Sequence, residues 1–316
     1  LDAFASGYID RSFCIKNIMI KKNVDLFGNE IVTNPLLRDK FIEPPFSILD
    51  TKTGSWQRRK REWKRIGMKS DVGSRIVKGN NAIGSLTNRT KEQSESTKKI
   101  MNTADGVTFD PALCEVLYHW FVPENGTILD PFAGGSVRGI VANYLGYKYT
   151  GIDIRQEQID SNREQGLDIL EVNNQPNWFV GDSNEVLNGF TKEFDFVFSC
   201  PPYADLEVYS DMENDISNMP YNEFMKAYES IIEKSCKLLK KGGYACFVVG
   251  EVRDKKGNYI GFVPDTINAF KKAGMNYYNE AIILSAIASA SMRANNTMKN
   301  KKLVKVHQNV LIFKKN

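Results

Sequence analysis

Asp130-Pro131-Phe132-Ala133-Gly134-Gly135-Ser136 decides how this chain folds, and Ser199-Cys200-Pro201-Pro202-Tyr203 echoes it, starting 69 residues after Asp130. Thr127–Leu129, just ahead of the first stretch, is a short apolar run of the kind that forms a buried strand. It ends in an acid, turns through two glycines, and passes into Val137–Leu145, whose apolar residues fall at helical spacing. A strand, a glycine turn and a helix in that order present a small-molecule site at the carboxyl end of the strand. The plainer alternative is a tight turn with a structural task alone. Phe194–Ser199 is a second apolar strand, and it runs directly into the proline pair.

Gly134, Gly135 and Gly139 do not stand at the spacing of the dinucleotide fingerprint. Asp130 would repel a pyrophosphate and suits a cationic amino group instead. S-adenosylmethionine (AdoMet) carries such a group and no phosphate, and paired glycines let the backbone approach it closely. Together the two stretches resemble the AdoMet-dependent amino-methyltransferases, which methylate N6 of adenine or N4 of cytosine in DNA. The run of motifs is similar to that of the DNA methylases of phages and prophages, and the resemblance covers Thr108 to Phe313. It implies an α/β, Rossmann-like class I methyltransferase fold. That fold has seven strands, mostly parallel, with helices on both faces and an antiparallel last strand. It also implies AdoMet as methyl donor, double-stranded DNA as partner, a base flipped out of the helix, and restriction-modification as a setting.

Residue by residue, the resemblance gives the glycine turn (Asp130, Phe132, Gly134, Gly135, Ser136) to the cofactor. Thr108-Phe109-Asp110-Pro111 reads as a helix start, with Asp110 as cap and proline at the first helical position. By resemblance Phe109 and Asp110 hold the methionine end; the alternative is a cap that only begins a packing helix. Lys148–Ile152 is a further strand, ended by Asp153 with Ile154 behind it, and Asp153 lies 23 residues past Asp130. An acid there accepts hydrogen bonds from both ribose hydroxyls, or else caps the next helix. Asp182, followed by Ser183, closes the strand Trp178–Gly181 and either faces the adenine amino group or caps a helix.

The proline loop carries the chemistry. An exocyclic amine conjugated to a base is a poor nucleophile, so its lone pair must be aligned and its N–H groups accepted, with an aromatic stacked on the extruded ring. By resemblance Pro201 supplies a backbone carbonyl, Pro202 stiffens the loop and Tyr203 stacks. The family's Asp, Asn or Ser is here Cys200, whose sulfur is a weak acceptor. The oxygen contact is therefore missing, moved to Ser199, or not needed; a nucleophilic role for Cys200 is the remote alternative.

Nucleic-acid contacts are sought in local basic patches, because the formal net charge is only +4. Trp56 and Trp63, seven residues apart, share one face of a helix otherwise covered by Arg58, Arg59, Lys60, Arg61, Lys64 and Arg65. That suits a phosphate backbone; a solvated helix held by its tryptophans reads equally well. Arg293, Lys299, Lys301 and Lys302 lie on a loop, Ala288–Leu303, between the last two strands. Ser70–Asp105 reads as a linker or as a loop that orders on substrate binding, and Ala204–Asn218 as an acidic loop. Glu251 and Arg253 end a strand and line the substrate pocket or make a salt-bridged turn.

The chain divides into an arm (1–50), a basic and flexible segment (51–107) and a methyltransferase domain (108–316). Five cysteines without a CxxC pair and only two histidines argue against a disulfide framework and a metal site. With no membrane-length apolar run, the cytoplasm is the expected compartment. A start without Met leaves room for a targeting segment ahead of Leu1. Two rivals stay open: an RNA base methyltransferase, and a nucleic-acid-binding module that keeps the fold without the chemistry. Oligomeric state and target sequence are not legible.

Overall fold

The structure is a computed structural model, and it describes residues 36–68, 76–77, 109–203, 207–208, 212, 214–254, 256–284 and 290–316. Most of the Ser70–Asp105 linker, residues 1–35 of the arm, and Asp205, Tyr209, Asp211 and Glu213 of the acidic loop lie outside the described residues. In chain order the elements are α1 (Leu37–Phe41), β1 (Ile48–Asp50), α2 (Gly54–Arg65), β2 (Ile76–Val77), α3 (Pro111–Phe121), β3 (Thr127–Asp130), α4 (Val137–Tyr144), β4 (Lys148–Asp153) and α5 (Gln156–Ile169). There follow β5 (Asn177–Val180), α6 (Ser183–Val186), β6 (Phe194–Ser199), β7 (Glu207–Val208), α7 (Tyr221–Lys237), β8 (Leu239–Val249), α8 (Phe262–Lys272), β9 (Asn276–Leu284), α9 (Ala290–Lys299) and β10 (His307–Lys314).

Among the described residues one sheet holds eight strands in the order β1-β9-β10-β8-β6-β3-β4-β5. All neighbours are parallel except β10, which runs antiparallel to both β8 and β9. The expected seven-stranded, mostly parallel arrangement with its antiparallel last strand is present. The eighth strand is β1, which pairs Ile48 with Ile282 at the edge of β9. It is three residues long and shows no alternation, so nothing in the sequence around it marks a strand.

Strand β8 begins at Leu239 and continues in a bulge through Gly242, whose φ of 78° only glycine adopts freely. One local expectation changes. The segment expected to be a loop between the last strands contains α9.

Helices cover both faces. One buried cluster packs α3, α4 and Trp178 against the sheet, including Tyr118, Tyr149, Phe196 and Phe198. The other packs α7 and α8 through Phe224, Tyr228, Phe247, Phe262 and Phe270. Between them, at the end of β3, Asp130 is fully buried and receives four donors. These are the guanidinium Nε of Arg138, the hydroxyl of Tyr149 at 2.7 Å, the hydroxyl of Ser199, and the backbone N–H of Phe132 at 3.1 Å. Arg138 is 4% exposed and spends its remaining donors on the carbonyls of Phe132 and Ala133, at 2.8 and 2.7 Å. Burial opposes the Arg138 charge, but Asp130, with Tyr149 and Cys200 adding to it, more than offsets this and holds the guanidinium pKa above its usual range.

Removing one member of such a pair strands a buried charge. Arg138→Ala is therefore expected to lower unfolding stability by about 3–5 kcal/mol. Tyr149→Phe, which removes one donor of four, is expected to lower it by about 1.5–3 kcal/mol. Urea unfolding followed by circular dichroism measures both.

Candidate active site

The carboxyl ends of the parallel strands open into one cavity of about 500 Å³. The glycine turn contributes Phe132, Gly134 and Gly135, the end of β4 contributes Asp153 and Ile154, and the end of β5 contributes Asp182 and Ser183. The loop after β6 contributes Cys200, Pro201, Pro202 and Tyr203, and the start of α3 contributes Phe109 and Asp110. Two residues expected at the cofactor are not on this wall. Asp130 cannot meet an amino group, because it is fully buried and its carboxylate is spent on Arg138, Tyr149, Ser199 and Phe132. Ser136 is 3% exposed and donates its hydroxyl to Gln165 at 2.7 Å. Both shape the turn from behind. Ser199, the candidate for a displaced oxygen contact, is likewise fully buried and committed to Asp130.

The turn is held from the other side by α5. Gln158, Asn162 and Gln165 are all buried, and Asn162 donates to the carbonyl of Gly134 at 2.7 Å. Gln158 in turn donates to Asn162 at 3.0 Å. These amides recur at helical spacing on one face of α5, a polar stripe that sequence reading passed over. Gly134 has φ of 51°, and a Cβ there would meet no protein atom within 4 Å. The backbone thus turns a bare surface toward the cavity, where a side chain would occupy the ligand's space.

Asp153 faces that surface. Its carboxylate accepts the N–H of Gly134 and the N–H of Arg155, each at 2.9 Å. Each oxygen keeps a second lone pair, which fits a pair of vicinal hydroxyls. Burial raises its pKa, outweighing the charge of Arg155 and the two backbone donors, and Asp215 adds to the rise. Asp182 caps α6 by accepting the N–H of Asn184 at 2.8 Å, and it also lines the cavity. Ser183 is buried and donates to the carbonyl of Pro131.

Around the proline loop, Tyr203 packs edge-on against Phe262 at 6.1 Å and its hydroxyl accepts from the side-chain amide of Gln308 at 2.6 Å. The Cys200 sulfur lies 3.9 Å from the same hydroxyl. Gln308 lines the cavity and was not anticipated from sequence, since it lies 105 residues from the tyrosine it holds. Glu251 and Arg253 are not on the wall. Glu251 accepts the N–H of Val263, in the first turn of α8, at 3.0 Å, and Arg253 stacks on Tyr259 at 3.9 Å.

The basic helix α2 is docked rather than free. Trp56 donates to Asp110 at 3.1 Å and Trp63 to Glu115 at 3.2 Å, and Arg59 bonds Glu115 at 2.7 Å. Lys60 pairs with Asp110 at 3.6 Å and lines the cavity. Arg58, Arg61, Lys64 and Arg65 are exposed, with Arg65 bonded to Glu62 at 2.9 Å. Lys299 and Lys301 are exposed, while Lys302 packs against Gly257; the Arg293 side chain lies outside the described residues. Among the described residues no cluster of three metal-ligating side chains occurs, and no helix is long and apolar enough to cross a membrane.

Residues 44–164 match the family model described as DNA methylase, of the N6/N4 methyltransferases, and residues 144–253 match that of the Eco57I restriction-modification methylase. Among curated proteins none matches this sequence. Similar solved structures include TrmN from Thermus thermophilus, at 14% identity and a TM-score of 0.45, covering 66% of this chain and 49% of that one. A TehB-like SAM-dependent methyltransferase from Corynebacterium glutamicum matches at 16% identity and a TM-score of 0.41, covering 72% of this chain and 97% of that one. Magnesium protoporphyrin IX methyltransferase from Synechocystis, solved with SAM bound, matches at 12% identity and a TM-score of 0.40, covering 84% and 93%. The two family matches, each over less than half of the chain, make it similar to DNA methylases and support a methyltransferase enzyme.

The raised pKa of Asp153 has a definite sign. The native carboxyl holds its proton to higher pH than the unfolded one. Its contribution to stability is thus present below the unfolded value and lost as pH rises through the folded one. Hydroxyl donors favour the ionised form, so cofactor binding should tighten over the same rise. Calorimetric titration with S-adenosylhomocysteine at rising pH, starting from the ordinary carboxylate range, is expected to show this, and Asp153→Asn should weaken binding by roughly ten-fold or more.

Proposed function

We propose that this chain transfers a methyl group to the exocyclic amino nitrogen of adenine (N6) or cytosine (N4) in a base flipped out of double-stranded DNA. The observation that carries this is the meeting of Asp153 and the Pro201-Pro202-Tyr203 loop on one cavity. AdoMet, when bound, supplies an electrophilic methyl on a sulfonium. The protein's own residues then have positioning to do, and alignment can contribute most of the rate.

In this reading Asp153 receives the ribose hydroxyls and the open backbone at Gly134 lies against the nucleoside. The backbone carbonyl of Pro201 accepts one amino N–H, which turns the nitrogen lone pair toward the methyl. Tyr203 stacks on the flipped base, and Gln308 and Phe262 hold the ring's angle. Cys200 bounds the pocket as a small neutral side chain. Arg58, Arg61, Lys64 and Arg65, on the exposed side of α2, together with Lys299 and Lys301, are the proposed phosphate contacts. The cell interior follows as the setting for such a reaction.

Mass spectrometry of nucleosides from duplex DNA incubated with the chain and AdoMet tests the proposal. N6-methyladenine or N4-methylcytosine is the expected product. Their absence, with AdoMet bound and no product from RNA either, would leave the binding-module alternative standing. Cys200→Ala is expected to keep the transfer rate within about three-fold, whereas Gln308→Leu should reduce it by roughly ten-fold at unchanged AdoMet affinity. Single-turnover kinetics separates the two.

A further inference from the structure

Among the six basic residues of α2, Lys60 is the one that lines the cavity. It does so beside Asp110, at the start of α3. The helix brings it there because both indoles anchor to α3, Trp56 on Asp110 and Trp63 on Glu115. Asp110 does not need Lys60 for its hydrogen bonding. Its Oδ1 accepts the N–H of Ala112 at 2.9 Å, and its Oδ2 accepts the Trp56 indole at 3.1 Å. The Lys60 ammonium stands 3.6 Å from Oδ2, close enough for attraction and too far for a hydrogen bond, with its side chain 32% exposed. It thus brings a charge and three donors to the wall without a described acceptor within bonding distance.

The other cations on the wall are differently placed. Arg138 is closed around Asp130 and the carbonyls of Phe132 and Ala133. Arg155 is beside Asp153, 3.7 Å away, at the proposed ribose end. An acid and a base side by side on one wall complement a zwitterion, an ammonium and a carboxylate on one carbon.

We infer that Lys60 binds the carboxylate of the methionine end of AdoMet. The basic helix then contributes to the cofactor site as well as to any nucleic-acid surface. This rests on the cavity being the AdoMet site. A carboxylate reaching Lys60 would form charge-assisted hydrogen bonds with the ammonium, and Asp110 would keep the charge balanced.

Calorimetric titration of the full chain with two ligands tests the inference. S-adenosylhomocysteine carries the amino-acid end, and 5′-methylthioadenosine has the same nucleoside and thioether without it. Lys60→Met is expected to weaken S-adenosylhomocysteine by roughly ten-fold or more and to leave methylthioadenosine unchanged, with Lys60→Arg recovering most of the loss. Equal S-adenosylhomocysteine affinity in the wild type and Lys60→Met would overturn the inference alone. Equal weakening of both ligands would do the same, since it would mean Lys60 only supports the helix. Failure of the wild type to bind either ligand would overturn the AdoMet reading, and the inference with it.

Discussion

The buried ion pair between Asp130 and Arg138 is the constraint on which the rest of the site depends. It is built at the meeting of three strands. Asp130 ends β3, Tyr149 comes from β4, and Ser199 ends β6. Arg138 then reaches back from α4 to the carbonyls of the turn itself. A charge in such a place is tolerable only when it is paired and every donor is met. Those demands set the course of the chain from Asp130 to Ser136 before any ligand arrives. With α5 gripping the turn through Asn162 and Gln165, the bare backbone at Gly134 is presented by the protein's own polar network.

The N-terminal part of the described chain belongs to this architecture. β1 extends the sheet, α2 is bonded through both tryptophans to carboxylates of α3, and Trp120 of α3 donates to the carbonyl of Phe41 at 2.8 Å. The indoles are the reason that a helix with so many cations can sit against the fold. They bury their rings while their N–H groups neutralise part of the cost of holding Asp110 and Glu115 near the interior. The outward cations remain in water.

What could be read from the sequence was local. Apolar runs ending in acids, a glycine pair and a proline pair are short-range signals, and the strands, the turn and the loop stand where those signals place them. The functions of the acids were harder to read. Asp130 and Asp153 each end an apolar strand, yet one is sealed and the other lines the cavity. The difference lies in Tyr149 and Ser199, which are 19 and 69 residues from Asp130. Arg138 did leave a trace, as a lone charge inside the apolar run of α4, where a buried cation needs a partner. Gln308, Lys60 and the β1 edge left none, because each acquires its place only through pairing across long stretches of chain.

The antiparallel course of β10 has a consequence for how such a site can vary. A parallel strand delivers its last residues to the cavity edge, but β10 delivers its first. Gln308 therefore reaches Tyr203 from the end of the strand that the α9 connection enters. The strand's register is secured further along, from Asn309 to Lys314 against β8 and along its length against β9. That connector accordingly enters the strand next to a residue of the pocket wall. It can lengthen, shorten or change its side chains while the sheet behind it keeps its register, so the shape of what is accepted and the durability of the fold are free to change separately.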